Sequence, residues 1–138
     1  MRADAAARRA TIVREARRLI AAYGSQIALE TVADASGVGI ATFYRNFPSR
    51  DALLHEVTLA TIADLHAATD AAIAQMAAAP RTAWHRYVTQ LGALNLGTLT
   101  SELAELSASD LAPEIRQAQD AALASVAELL SRARAEGL

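Results

Sequence analysis

Residues 37–54 read GVGIATFYRNFPSRDALL, and the order of turn residues, short amphipathic run, proline and serine in that stretch decides the fold. Gly37 can take the positive φ that a sharp reversal needs, so Gly37-Val38-Gly39 reads as a turn. Ahead of it, Leu29, Val32 and Ala33 recur at helical spacing on one side of a short segment that ends at Gly37. Beyond it, Phe43 and Phe47 stand four apart and share one face of a second short helix, which leaves Thr42, Tyr44, Arg45 and Asn46 off that face. Pro48 disfavours further helix at Asn46-Phe47. Ser49 can then cap a new helix whose first turn sets Asp51 against the positive end of the dipole.

Short helix pairs punctuated by glycine occur in many all-α proteins, so spacing alone leaves the role of this pair open. Two helices crossing over so tight a turn do match the geometry in which the second helix enters the major groove of DNA and its first residues meet base edges. Ile40, Ala41 and Thr42 occupy that place. The string from Val38 to Leu53 further resembles the TetR family of bacterial transcriptional regulators, whose DNA-binding domain carries a run of the form V-G-I-G-T-L-Y-R-H-F-P-T-R-E-A-L. The resemblance covers about the first third of the chain, from Arg9 to Val57, and is only architectural afterwards.

The resemblance implies an all-α protein: a three-helix helix-turn-helix domain over residues 1–50, then an antiparallel helical bundle over 51–138 that binds an effector and dimerises. It implies base contacts from Ile40, Ala41 and Thr42, and phosphate contacts from Gly39, Tyr44, Arg45, Asn46 and Arg50. It further implies a homodimer on a palindromic operator, repressing until a small-molecule effector releases it. Two departures bear on this. Ala41 replaces the usual Gly, which limits close backbone approach but offers a methyl to thymine. Ala28 replaces the usual Ser or Thr cap, a loss of about 1 kcal/mol by capping precedent. The family's body ends in two further helices through which protomers pair, and this sequence is expected to lack them, either as a fragment or as a shortened member that pairs through other surfaces. Those departures support an alternative, an all-helical protein-interaction module that has lost DNA binding.

Composition agrees with a helical protein, since 53% of the 138 residues are hydrophobic and Ala, the best helix former, dominates them. No apolar run is long enough to span a bilayer and no signal-like segment opens the chain, so the expected location is the cytoplasm. Cysteine is absent, which excludes disulfides and Cys-ligated zinc. The net charge of −2 hides an asymmetry: residues 1–50 hold eight Arg against Asp4, Glu15, Glu30 and Asp34, or +4, and residues 51–138 hold five Arg against eleven acids, or −6. A basic head on an acidic body orients toward a polyanion. Most of Arg8, Arg9, Arg14, Arg17 and Arg18 read more simply as the solvated face of the first helix.

In that helix Ile12, Ala16, Leu19, Ile20 and Tyr23 form one stripe, with Gly24 as terminator. A long helix follows from Ser49 to about Ala79, with Leu54, Val57, Ile62, Leu65, Ile73 and Met76 inward, able to link head and body mechanically. Further helices are expected over Thr82 to Gly97, Leu99 to Ala108 and Pro113 to Glu136, the last with Ile115, Leu123, Val126, Leu129 and Leu130 as its apolar stripe. Trp84, Tyr87 and Leu91 could line an effector cavity faced by Leu65, Thr69, Leu103 and Gln119, although helix-spaced aromatics are more often plain core. His55 and His66 share a helical face about 16 Å apart, too far for one metal ion. Without a phosphate loop, nucleophile elbow or zinc-protease spacing, neither an enzyme nor a cofactor is expected.

Overall fold

The computed structural model describes residues 2–94 and 112–138, and among these all regular structure is α-helical. The helices are α1 (Arg2–Tyr23), α2 (Leu29–Ser36), α3 (Ile40–Asn46), α4 (Arg50–Met76), α5 (Pro80–Ala93) and α6 (Pro113–Ala135). The short helix expected over Leu99 to Ala108, and the end expected at Gly97, lie outside the described residues. The chain divides into two compact units, Met1–Thr58 and Leu59–Leu138, so α4 supplies residues to both. The first unit reaches past the expected boundary at residue 50 because Leu53 and Val57, on the first turns of α4, belong to its core.

That core joins Ile12, Ala16, Leu19 and Ile20 of α1 to Leu29, Val32 and Ala33 of α2, with Phe43 and Phe47 filling the centre. Both phenylalanines are fully buried, their ring centroids 6.0 Å apart and tilted by 44°. The turn residues act as the sequence suggests. Gly24 (φ 92°) ends α1, its N–H donating to the Ile20 carbonyl at 2.8 Å, and Gly37 (φ 72°) closes α2 in the left-handed conformation that side chains resist. Ser49 caps α4, its Oγ accepting from the Ala52 N–H at 3.1 Å. Ala28 stands at the start of α2 without any side-chain cap.

Tyr23 departs from the expected stripe. It is 74% exposed, because it is the last residue of α1 and the stripe there runs beyond the helices that cover its earlier turns. Phe47 also lies one residue past α3, at its C-cap with extended backbone (φ −134°), so the two rings bracket the end of the helix instead of sharing its interior.

In the second unit, Met76 ends α4 and Pro80 starts α5 at its first position, where a missing N–H costs nothing. α5 thus begins before Thr82. Gln75 with Arg86 and Thr69 with Tyr87 pair across this hairpin, so α5 runs antiparallel to α4. α6 rises beside α4 in the same direction: Ile62 clusters with Ile115 and Ala122, while Ala72 and Met76 cluster with Leu129 and Ala133. Among the described helices the order is up, down, up.

The inward face of α6 is Ile115, Ala122, Leu129 and Ala133. Leu123 and Leu130, expected in that stripe, are 55% and 41% exposed, since they sit some 60–80° around the helix from it. Three threonines that a hydrophobic stripe skips, Thr58, Thr61 and Thr69, are buried on α4.

Replacing Phe47 by Ala should destabilise the first unit by about 3–5 kcal/mol, the range for emptying a buried aromatic site. Denaturant unfolding followed by circular dichroism measures this, and a loss below about 1 kcal/mol would show that the ring is not a core element.

Candidate nucleic-acid interface

The burial of Phe43 and Phe47 determines what the rest of α3 presents. With those positions inward, Ile40 (41% exposed), Ala41, Tyr44 (40% exposed) and Arg45 face outward, and Thr42 and Asn46 are half-buried at the edges. The polar side chains are organised among themselves. Arg45 Nη2 donates to Thr42 Oγ1 at 2.9 Å, and Asn46 Nδ2 donates to the Thr42 carbonyl at 3.0 Å. Tyr44 leans edge-on against Phe43 with centroids 5.7 Å apart, which ties an exposed ring to the core beneath it. At the open end of the helix Gly39 has no neighbour near the position a Cβ would take, so the turn backbone stays accessible.

A helix of seven residues is too short to hold its shape unaided. Two arginines fix its surroundings. Arg9 Nη1 donates to the Asn46 carbonyl at 2.8 Å, its guanidinium lies 4.3 Å from the Phe47 ring centroid, and its Nη2 pairs with Glu56 at 3.4 Å. One side chain thereby joins α1, the end of α3 and α4. This corrects the reading of Arg9 as solvated surface, which periodicity could not distinguish from its neighbours. Arg18 fits that reading better, paired with Glu15 at 2.9 Å.

Arg50 is the second clamp. Its Nη1 donates to the carbonyls of Ser25 at 3.0 Å and Ile27 at 2.6 Å, pinning the loop between α1 and α2 to the first turn of α4. Expected as a phosphate contact, it holds the loop that leads into α2 in this fold. Of the remaining expected contacts, Gly39, Thr42, Arg45 and Asn46 line one groove, whereas Ile40, Ala41 and Tyr44 are exposed on α3 outside that lining.

Sequence reasoning missed one feature. An open groove of about 540 Å³ runs beside α3, lined by Ala5 and Arg8 of α1, the turn Gly37-Val38-Gly39, and Thr42, Arg45 and Asn46. The lining holds two guanidinium groups and no carboxylate.

The expected effector residues of the second unit do not share one lining. Trp84, Tyr87 and Leu91 pack with Ala72, Met76, Leu129 and Ala133, while Leu65 belongs to the cluster around Ile62 and Ile115. Thr69 is fully buried and gives its proton to the Leu65 carbonyl at 2.7 Å, so the Tyr87 hydroxyl, 2.9 Å away, is the donor between them. Gln119 is half-buried, and Leu103 lies outside the described residues. His66 pairs with Asp70 at 3.3 Å, and Asp70 also accepts from Ser125 Oγ at 2.9 Å.

Two helices crossing at a glycine turn, the second with a ringed underside and an exposed polar face, define a helix-turn-helix DNA-binding domain. Residues 12–57 match the model for the bacterial regulatory proteins of the tetR family, so the first unit carries that family's DNA-binding domain and the chain is a DNA-binding transcriptional regulator. The match spans a third of the chain. No curated protein matches closely enough to add to it. Among the described residues no helix is long and apolar enough to cross a membrane.

Because Arg50 makes two charge-assisted bonds to part-buried carbonyls, Arg50→Ala should lower the unfolding free energy by about 1–3 kcal/mol. Thermal and denaturant melts of the two proteins read this directly. Equal stability would show that the clamp contributes nothing.

Proposed function

We propose that the protein is a ligand-responsive regulator, acting in the cytoplasm as a homodimer that holds a palindromic operator and leaves it when a small molecule binds the second unit. The observation that carries the DNA half of this reading is the face of α3, where Phe43 and Phe47 below and Arg9 at the end leave Ile40 and Ala41 exposed and Thr42 at their edge. These three meet base edges in this reading, and Gly39, Tyr44, Arg45 and Asn46 meet phosphates. A two-fold dimer would set two such helices roughly 34 Å apart, one turn of DNA.

Selection of bound duplexes from a random pool is the decisive experiment. A consensus with two-fold symmetry is expected, with affinity that falls log-linearly with salt. Changing Ala41 to Gly should alter the preferred bases while leaving the salt slope in place, because the residue faces bases and carries no charge. Recovery of no sequence preference, or a salt-independent association, counts against the reading.

The effector half is supported by the buried Thr69–Tyr87 pair, a hydroxyl couple set beside the apolar cluster around Trp84. Apolar walls with a few placed polar groups are what small-molecule sites use. The effector must prefer the conformation that does not bind operator, since equal affinity for both shifts nothing. Tyr87→Phe keeps the ring and removes the donor, so it should raise the effector concentration needed for DNA release by about tenfold and leave effector-free operator affinity unchanged. An unaltered effector response in titrations of operator release would exclude this pair from ligand contact.

A further inference from the structure

We propose that Arg8, on the exposed side of α1, is a DNA-phosphate contact, so that the reading surface extends from the helix-turn-helix onto the first helix. This rests on the DNA-binding reading above but adds a residue that lies outside the family match, which begins at residue 12.

The groove beside α3 carries the inference. Its lining brings Arg8 and Ala5 of α1 together with the polar edge of α3 and the backbone of the turn. Three properties make it suited to a phosphodiester strand. Two guanidinium groups, Arg8 and Arg45, flank it, and no carboxylate lies in its lining to compete. The α1 side is low, since the residue that accompanies Arg8 there is Ala5, so a strand can approach without meeting a large side chain. On the opposite side Gly37 and Gly39 leave open space where a Cβ would stand.

The arginines of α1 differ in what they already hold. Arg9 is committed to Asn46, Phe47 and Glu56, and Arg18 to Glu15. Arg8 is exposed and has no hydrogen-bond or ion-pair partner among the described residues. Neutralising it by a phosphate breaks no existing contact and relieves its repulsion with Arg45 across the groove. Arg9 also anchors the adjoining backbone of α1 to the end of α3, so the Arg8 Cα is held in fixed relation to the reading helix. Arg14, equally exposed, does not line the groove and is the internal control.

The experiment compares the full chain with Arg8→Ala, Arg8→Lys and Arg14→Ala, using two probes: the duplex recovered by selection and a mixed-sequence duplex. Binding is measured over a salt series. Arg8→Ala should weaken both duplexes by about fivefold, the worth of one exposed ion pair. It should also lower the slope of log affinity against log salt by about one per site and leave base preference intact. Arg8→Lys should restore most of the slope, and Arg14→Ala should match the parent. Parent-like affinity and slope in Arg8→Ala, with the parent still binding DNA in a salt-dependent way, overturns the role of Arg8 while the DNA-binding reading stands. Equal losses in Arg8→Ala and Arg14→Ala overturn it as well, because they indicate a diffuse charge effect. A parent chain that binds neither duplex overturns both readings.

Discussion

The exposed face of α3 depends on one contact: Phe47, at the end of that helix, is buried in the core of the first unit and covered by the Arg9 guanidinium. Seven residues cannot nucleate and sustain a helix in water, because the ordering of the first turn is barely offset by the few bonds that follow. α3 therefore exists only as a packed element. Phe43 holds it from within and Phe47 from its exit, and the Arg9 bond to the Asn46 carbonyl satisfies one acceptor of the last turn. Pro48 then prevents the helix from running on, and Ser49 starts α4 at a new angle. With two positions fixed inward and both ends stopped, Ile40 and Ala41 are turned outward and Thr42 is held at the edge.

Arginine does two different jobs in this head, and charge counting cannot separate them. Arg9 and Arg50 turn inward, each binding backbone carbonyls that would otherwise be left partly unsatisfied at a helix end or in a loop. Arg8 and Arg45 stay at the surface beside the groove. A formal charge of +4 over residues 1–50 thus overstates the cation available to a ligand. Arg9 is partly neutralised by Glu56, which lies beyond that stretch, while the Arg18–Glu15 pair is already counted in the sum. Of the other arginines, Arg8 and Arg45 line the groove beside α3 and Arg14 does not, so position matters here more than total charge.

Much of this was legible in the sequence, for a definite reason. The turn at Gly37, the rings at Phe43 and Phe47, and the stop at Pro48-Ser49 are local features, each set by the conformational limits of one or two residues. The stripe of α1 held from Ile12 to Ile20 and failed at Tyr23, since periodicity says which direction a residue faces and nothing about how far the covering helices extend. The α6 stripe failed differently. Large apolar residues were counted as core, but alanines at positions 122 and 133 fill the contact and leave Leu123 and Leu130 outside. Arg9 and Arg50 were not readable in their structural roles. Their carbonyl partners lie 37 and about two dozen residues away, and such bonds leave no spacing signature.

The described cores of the two units are built from different side chains. The first buries Phe43, Phe47, Ile12, Leu19, Ile20 and Leu53 together, large side chains whose apolar area each stabilises by roughly 1.5–3 kcal/mol. The described clusters of the second set Ala72, Ala122 and Ala133 beside Ile62, Met76, Tyr87, Ile115 and Leu129, and each alanine removes far less area from water than its larger neighbours. Small residues let helices approach closely, but they also let one helix slide against another with little loss of area. Along α4 the buried surface includes Thr69, whose hydroxyl is satisfied within its own helix and by Tyr87, so that a shift of α5 breaks one hydrogen bond without orphaning the threonine. The proposed regulator asks different things of its two units. The surface that reads DNA has to keep its shape in both states, and the part that answers a ligand has to own two packings of similar free energy.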